Sequence, residues 1–159
     1  MKIVLNTSPI IFLSKIDALT LLADCFAEIF TSPGVVNELR DFPIPTNIKV
    51  RSLSSPGNAY VQGALGRLHQ GELEAIVLAQ ELLVDYVILD DLLARRKAQR
   101  LGIKVMGTLG VMLLLNKRGL LSAEETWQKI SLLTKQHGLY LSPLILQQIE
   151  TQLVGSFYQ

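Results

Sequence analysis

The chain predicts an α/β fold, a three-layer α/β/α sandwich with helices covering both faces of a short central parallel sheet. Three observations carry this expectation. Short apolar runs such as KIVL, EIFT and YVIL alternate with segments of helical period about ten residues long, the pattern of right-handed βαβ units. Ser-Pro pairs recur where helices would begin, at Ser8-Pro9, Ser32-Pro33 and Ser142-Pro143, pairing a cap with a first-turn proline. One helical stretch, from Thr108 to Lys117, is almost wholly apolar and so must be buried.

Lys2 to Asn6 reads as a buried strand, and Ser8 caps a helix through Ile10, Leu13 and Ile16. A second helical stretch continues through Leu19, Leu22 and Cys25. Glu28 to Thr31 is the next strand, followed by a helix holding Val35, Val36, Glu38 and Leu39. Pro43, Pro45 and Pro56 predict that Asp41 to Gly57 is mostly loop around a short strand at Ile48 to Leu53. Gly71 precedes a helix in which Leu73, Ile76, Val77 and Leu83 recur near helical spacing, ending before the strand Tyr86 to Leu89. Leu92 to Leu101 is a helix stopped by Gly102, and Ile103 to Met106 is a further strand. Ser122 and Glu125 stand at capping-box spacing, and Pro143 opens a last helix through Leu146 and Ile149. No repeat or linker divides the chain, so 1–159 reads as one domain, with helices from about 122 onward completing the core or a dimer contact.

Composition narrows the class of function. With 49% hydrophobic and 18% charged residues the chain is globular rather than disordered. Fifteen Lys+Arg against fourteen Asp+Glu leave a net charge of +1, so any nucleic-acid surface must be a local patch. The longest apolar run, Val111 to Leu115, falls far short of the ~20 residues that span a bilayer. The first residues lack the apolar stretch of a secretory signal, and the expected location is the cytoplasm. Cys25 is the only cysteine and lies in apolar surroundings, which fits a buried thiol with no catalytic part.

The residues able to carry chemistry are oxygen donors. Asn6 closes the first strand, Asp90 and Asp91 close YVIL, and Glu38 and Glu72 lie on intervening helices. Ligands of open parallel sheets bind beyond the carboxyl ends of the strands, where Asn6 and the aspartate pair would sit. Oxygen ligands without cysteine or histidine favour Mg2+ or Mn2+, and such ions promote in-line phosphodiester displacement. Each residue also has a structural explanation. Glu72 suits a helix N-terminus and Asp91 an N-cap, Glu38 a solvated face, and Asn6 an Asx turn. Thr7 and Ser8 flank the site and are candidates to orient a phosphate, Ser8 equally as a cap. Arg95, Arg96, Lys97 and Arg100 form a basic run; Arg95 and Arg96 are candidates to grip RNA phosphates, or part of a solvated face favoured by the helix dipole.

Other chemistries find less support. His69 and His137 have no zinc spacing, no G-x-S-x-G elbow surrounds Ser8, and GTLG and GELE match neither a P-loop nor a dinucleotide fingerprint. Asn6 offers no nucleophile for an aspartyl-phosphate mechanism.

The segments NTSPIIFLSKI, PGVVNEL, GELEAIVLAQE and VILDDLLARRKAQRLGIKVMGTLGVMLLLNKRGLL resemble the PIN-domain superfamily, in particular its compact prokaryotic branch related to VapC-type toxins. The resemblance spans nearly the whole chain and is least specific between Asp41 and His69. It implies a magnesium- or manganese-dependent ribonuclease leaving a 3′-hydroxyl and a 5′-phosphate, with the acidic positions at Asn6, Glu38, Glu72 and one or both of Asp90 and Asp91, of which Asp91 is preferred. Many PIN nucleases carry Asp where this chain has Asn6, which keeps a carbonyl oxygen but loses a charge. The resemblance also implies an RNA substrate, a small antitoxin partner and a homodimer, for which Leu139, Leu141, Leu144, Ile145 and Leu146 are an apolar candidate surface. The competing reading is a PIN-fold module without cleavage that binds RNA or antitoxin through the same acidic pocket.

Overall fold

Four of the five strands begin and end within two residues of the positions the apolar runs predict, because each of these four is bounded by a cap, a proline or a glycine. The computed structural model describes residues 1–157; Tyr158 and Gln159 lie outside it. The strands are β1 (Lys2–Leu5), β2 (Glu28–Thr31), β3 (Ile48–Val50), β4 (Tyr86–Ile88) and β5 (Val105–Met106). They form a wholly parallel sheet in the order β3-β2-β1-β4-β5. Chain order therefore reverses between β1 and β4, which pair with Leu5 opposite Ile88. This is the switch point at which crevices form in open α/β sheets, and Asn6 and Asp90 follow these two strands.

Successive side chains of a strand face opposite ways, and the core divides accordingly. Ile3, Leu5 and Ile88 join one apolar cluster with α1 (Thr7–Lys15), α2 (Pro33–Leu39), α6 (Thr108–Lys117), α7 (Ala123–Gln136) and α8 (Pro143–Phe157). Val4, Val87 and Leu89 join the other with α3 (Ser55–Ala64), α4 (Gln70–Leu82) and α5 (Leu92–Arg100). The result is the three-layer sandwich with a parallel core. Ile130, Leu133, Ile149 and Leu153 bring α7 and α8 into the same cluster as β1. Among the described residues no helix is long and apolar enough to cross a membrane.

Several local expectations need correction. Ser8 is not the cap of α1: the helix starts at Thr7 with Asn6 at the N-cap position, so Ser8 is exposed in the first turn and Pro9 still falls where a missing N–H is tolerated. The stretch from Leu19 is a 3-10 helix, Leu19–Asp24, rather than a further α-helix. The proline-rich region hides α3, because Ser54 accepts from Gly57 N (3.1 Å) as its N-cap and Pro56 sits in its first turn. Ser32 caps α2 as expected, accepting from Val35 N at 3.2 Å.

Candidate functional site

The end of β1 delivers Asn6 and Thr7 together to the switch point. Asn6 N donates to Ile88 O at 3.2 Å, extending the β1–β4 pairing by one residue. Its side chain is 4% exposed, and Oδ1 is buried without a hydrogen-bond partner. A buried amide oxygen left in this state costs about 1–3 kcal/mol, so it is poised for a donor or a cation. Thr7 Oγ1 donates to Glu38 Oε2 at 2.6 Å, tying the first turn of α1 to α2.

Glu38 also accepts from Gly71 N (3.0 Å), the residue before Glu72. A reciprocal bond runs the other way. Glu74 of α4 is 4% exposed and accepts from Gly34 N of α2 at 2.9 Å and from Gln70 Nε2 at 2.7 Å. Each helix thus presents its N-terminal N–H groups to a carboxylate of the other, a favourable use of the helix dipole. Both contacts need glycine: a Cβ on Gly34 would lie 2.6 Å from Glu74 Oε2, and one on Gly71 would overlap Glu38 Oε1.

Glu72 is half-buried in the first turn of α4, with Oε2 accepting from His69 N at 3.2 Å. Burial, the largest influence, pushes its carboxyl above the usual glutamate range. The His69 N–H pulls down, and the charges of Asp91 and Glu38 push further up. Glu38, Glu72 and Asp91, from three separate helices, therefore share one electrostatic neighbourhood. Asp91 caps α5, accepting from Ala94 N at 2.9 Å.

Asp90 is turned toward the other side of β4. Its Oδ1 accepts from Thr108 N (2.7 Å) and its Oδ2 from Thr108 Oγ1 (2.6 Å), at the start of α6. The adjacent aspartates thus diverge, as consecutive residues after a strand do. Arg95 lines a groove with Asp90, whereas Arg96 and Arg100 are exposed and Lys97 lies over the Tyr60 ring at 5.5 Å. His69 and His137 stand at the ends of α4 and α7.

The donor chemistry matches a hard divalent cation. Asn6 contributes a neutral buried oxygen lacking a partner, and Glu38, Glu72 and Asp91 contribute carboxylates whose mutual repulsion a cation would relieve. With each carboxylate drawn to a backbone N–H, no group of three or more acidic, histidine or cysteine side chains among the described residues is close enough to hold an ion. Ligation would thus require side chains of the cluster to turn away from their present N–H donors.

Two neighbours were not legible in the sequence. Glu74 lies two residues from Glu72, in the same acidic segment, and only the packing of α2 on α4 distinguishes their roles. Arg40 lines a groove of about 400 Å3 with Glu38, Gly34 and Gln70. It follows α2 with φ 54 and ψ −116, a conformation that strains a residue bearing Cβ.

The model of the PIN-domain family DUF3368 matches residues 2–154. The chain belongs to the PIN-domain family. PIN domains are in general metal-dependent nucleases, typically using divalent ions and acting on nucleic acid. A solved structure of similar fold is that of a PilT N-terminus domain protein, SSO1118, from the hyperthermophilic archaeon Sulfolobus solfataricus P2. It is 22% identical, with a TM-score of 0.50, over 74% of this PIN domain and 92% of that chain. No curated protein matches the chain significantly.

Proposed function

We propose that this PIN domain is a divalent-metal-dependent endoribonuclease, the toxin half of a toxin–antitoxin pair acting in the cytoplasm. The observation that carries the reading is the buried, unpartnered Asn6 Oδ1 at the switch point, one residue before Thr7, which holds Glu38, while Glu38 and Asp91 both act on the charge of Glu72. Those four residues would hold Mg2+ or Mn2+, with Asp90 reaching the site only if it leaves Thr108. When bound, the ion would supply a polarised water for attack on phosphorus and charge neutralisation for the leaving oxygen.

The chain's own groups account for the rest. Thr7 fixes Glu38 through its short hydrogen bond. Ser8, exposed one residue on, would orient a phosphate. Arg95 and Arg96 hold flanking phosphates as α5 leaves the site. Neutralising both arginines is expected to weaken RNA binding and to lower the slope of log affinity against log salt by about one to two units; an unchanged slope in fluorescence anisotropy removes them from the interface.

A second reading is favoured by one specific residue. Asn6 brings no charge where many PIN nucleases carry Asp, so metal affinity falls, and an antitoxin's basic side chain would compete for the same carboxylates. Cleavage of labelled RNA under Mn2+ titration separates the two. Activity in the wild type supports the nuclease, whereas activity gained only in Asn6→Asp identifies a binding module.

A further inference from the structure

A groove of about 360 Å3 opens beyond β4 and β5, between the start of α6 and the 138–145 segment, within the usual size range of small-ligand clefts of about 300–1,000 Å3. Asp90 and Arg95 line it, with Leu109, Leu141, Ile145 and Tyr140. Arg95 is half-buried and reaches over Gly107, where its Nη1 lies 2.9 Å from the position of a Cβ and Asp90 Oδ1 lies 3.2 Å from it. The two side chains nevertheless form no ion pair, since Lys2–Glu28 is the only one among the described residues. A positive charge held without a partner at the wall of a groove is a site for an anion.

Tyr140 completes the picture. Gly138, at φ 78, turns the chain after α7, and Leu139 and Leu141 then pack into the core on either side of Tyr140. Leu139 N is also fixed by Leu133 O at 3.0 Å. The segment is anchored at alternate residues while Tyr140 stays 84% exposed at the groove. An exposed aromatic ring carried on an anchored backbone, apolar walls, an unpaired guanidinium and a carboxylate able to accept from an exocyclic amine together match one unit of single-stranded RNA, base plus phosphate.

We propose that this groove is a nucleobase subsite, in which Tyr140 stacks on a base one side of the scissile phosphate and Arg95 receives the adjoining phosphate. The inference rests on the nuclease reading only for the position of the scissile bond; the binding itself needs no metal. Leu109 and Ile145 close the apolar side of the base, and Asp90 keeps acceptor capacity beyond its two bonds to Thr108.

The test uses the full chain in EDTA, with a fluorescein-labelled single-stranded RNA heptamer as probe, followed by anisotropy. Tyr140→Ala is expected to weaken binding about 5- to 100-fold, as loss of one base stack does, while Tyr140→Phe binds as the wild type does. Equal affinity of Tyr140→Ala and wild type overturns the proposal, and so does failure of the wild type to bind the heptamer. Sedimentation of the same proteins tests the rival occupant: a dimer lost in Tyr140→Ala with RNA affinity unchanged makes the groove a contact between two copies. Adding Mn2+ separates this inference from the nuclease reading. Binding that depends on Tyr140 without any cleavage retires the nuclease and keeps the subsite; cleavage with Tyr140→Ala unchanged in both affinity and KM does the reverse.

Discussion

Asp91→Asn and Glu72→Gln are each expected to lower metal-dependent RNA cleavage by at least about 100-fold, because loss of even an outer partner of a metal site costs about 10- to 100-fold. Stability is expected to change little. Asn serves as an N-cap as well as Asp, so Asp91→Asn keeps the bond from Ala94 N that starts α5. Gln at position 72 can still accept from His69 N. The pH dependence follows from the raised Glu72 carboxyl. A carboxylate held above its ordinary range in the folded state stabilises the fold most at low pH, and that contribution is lost as pH rises through the folded value. Glu72→Gln removes this dependence, so the variant's melting temperature relative to wild type should improve as pH rises from mildly acidic to neutral. Normal cleavage in either variant, with the fold intact, would show that the carboxylate takes no part.

Glu74→Ala is expected to destabilise the protein by about 1–3 kcal/mol in urea denaturation. The change strands the buried Gly34 N–H, worth about that much when left unsatisfied, whereas the amide of the exposed Gln70 turns to water. Glu74→Gln, which keeps the shape and one acceptor, should lose only about 1 kcal/mol. The effect reaches the site because Gly34 and Glu38 share α2, and Glu38 is the return half of the clasp at Gly71. Unchanged stability in Glu74→Ala would mean that water replaces the carboxylate and that α2 is held elsewhere.

The sheet was legible because every strand but β3 is a short apolar run bounded by punctuation that also starts or stops a helix. Thr108 to Lys117 reproduces α6 residue for residue, and Gly102 has the positive φ its position after α5 required. What failed was local competition between signals. Ser8 looked like a cap, but β1 ends at Leu5 and the helix begins within two residues, so the cap position falls to Asn6. Three prolines suggested loop up to Gly57, yet Pro56 in a first turn is compatible with helix.

The site was legible as a set of residues and not as an arrangement. Spacing alone placed Asn6 and the aspartate pair at strand ends. Which way Asp90 and Asp91 divide depends on Thr108, eighteen residues on and brought near by the pairing of β4 with β5. Glu74 could not be told from Glu72 without knowing that Gly34 approaches α4. Glycines were the unread signal, since Gly34 and Gly71 mark where carboxylates from the opposing helix come within reach of backbone N–H groups.

Calorimetric titration of Mn2+ into the metal-free protein, at neutral and at mildly acidic pH, most directly examines whether Glu38, Glu72 and Asp91 with Asn6 make one cation site. The expected result is saturable binding at neutral pH that weakens with proton release on the acidic side, as Glu72 becomes protonated, and that is lost in Asp91→Asn. Absence of binding in the wild type, or equal binding in Asp91→Asn, would contradict it.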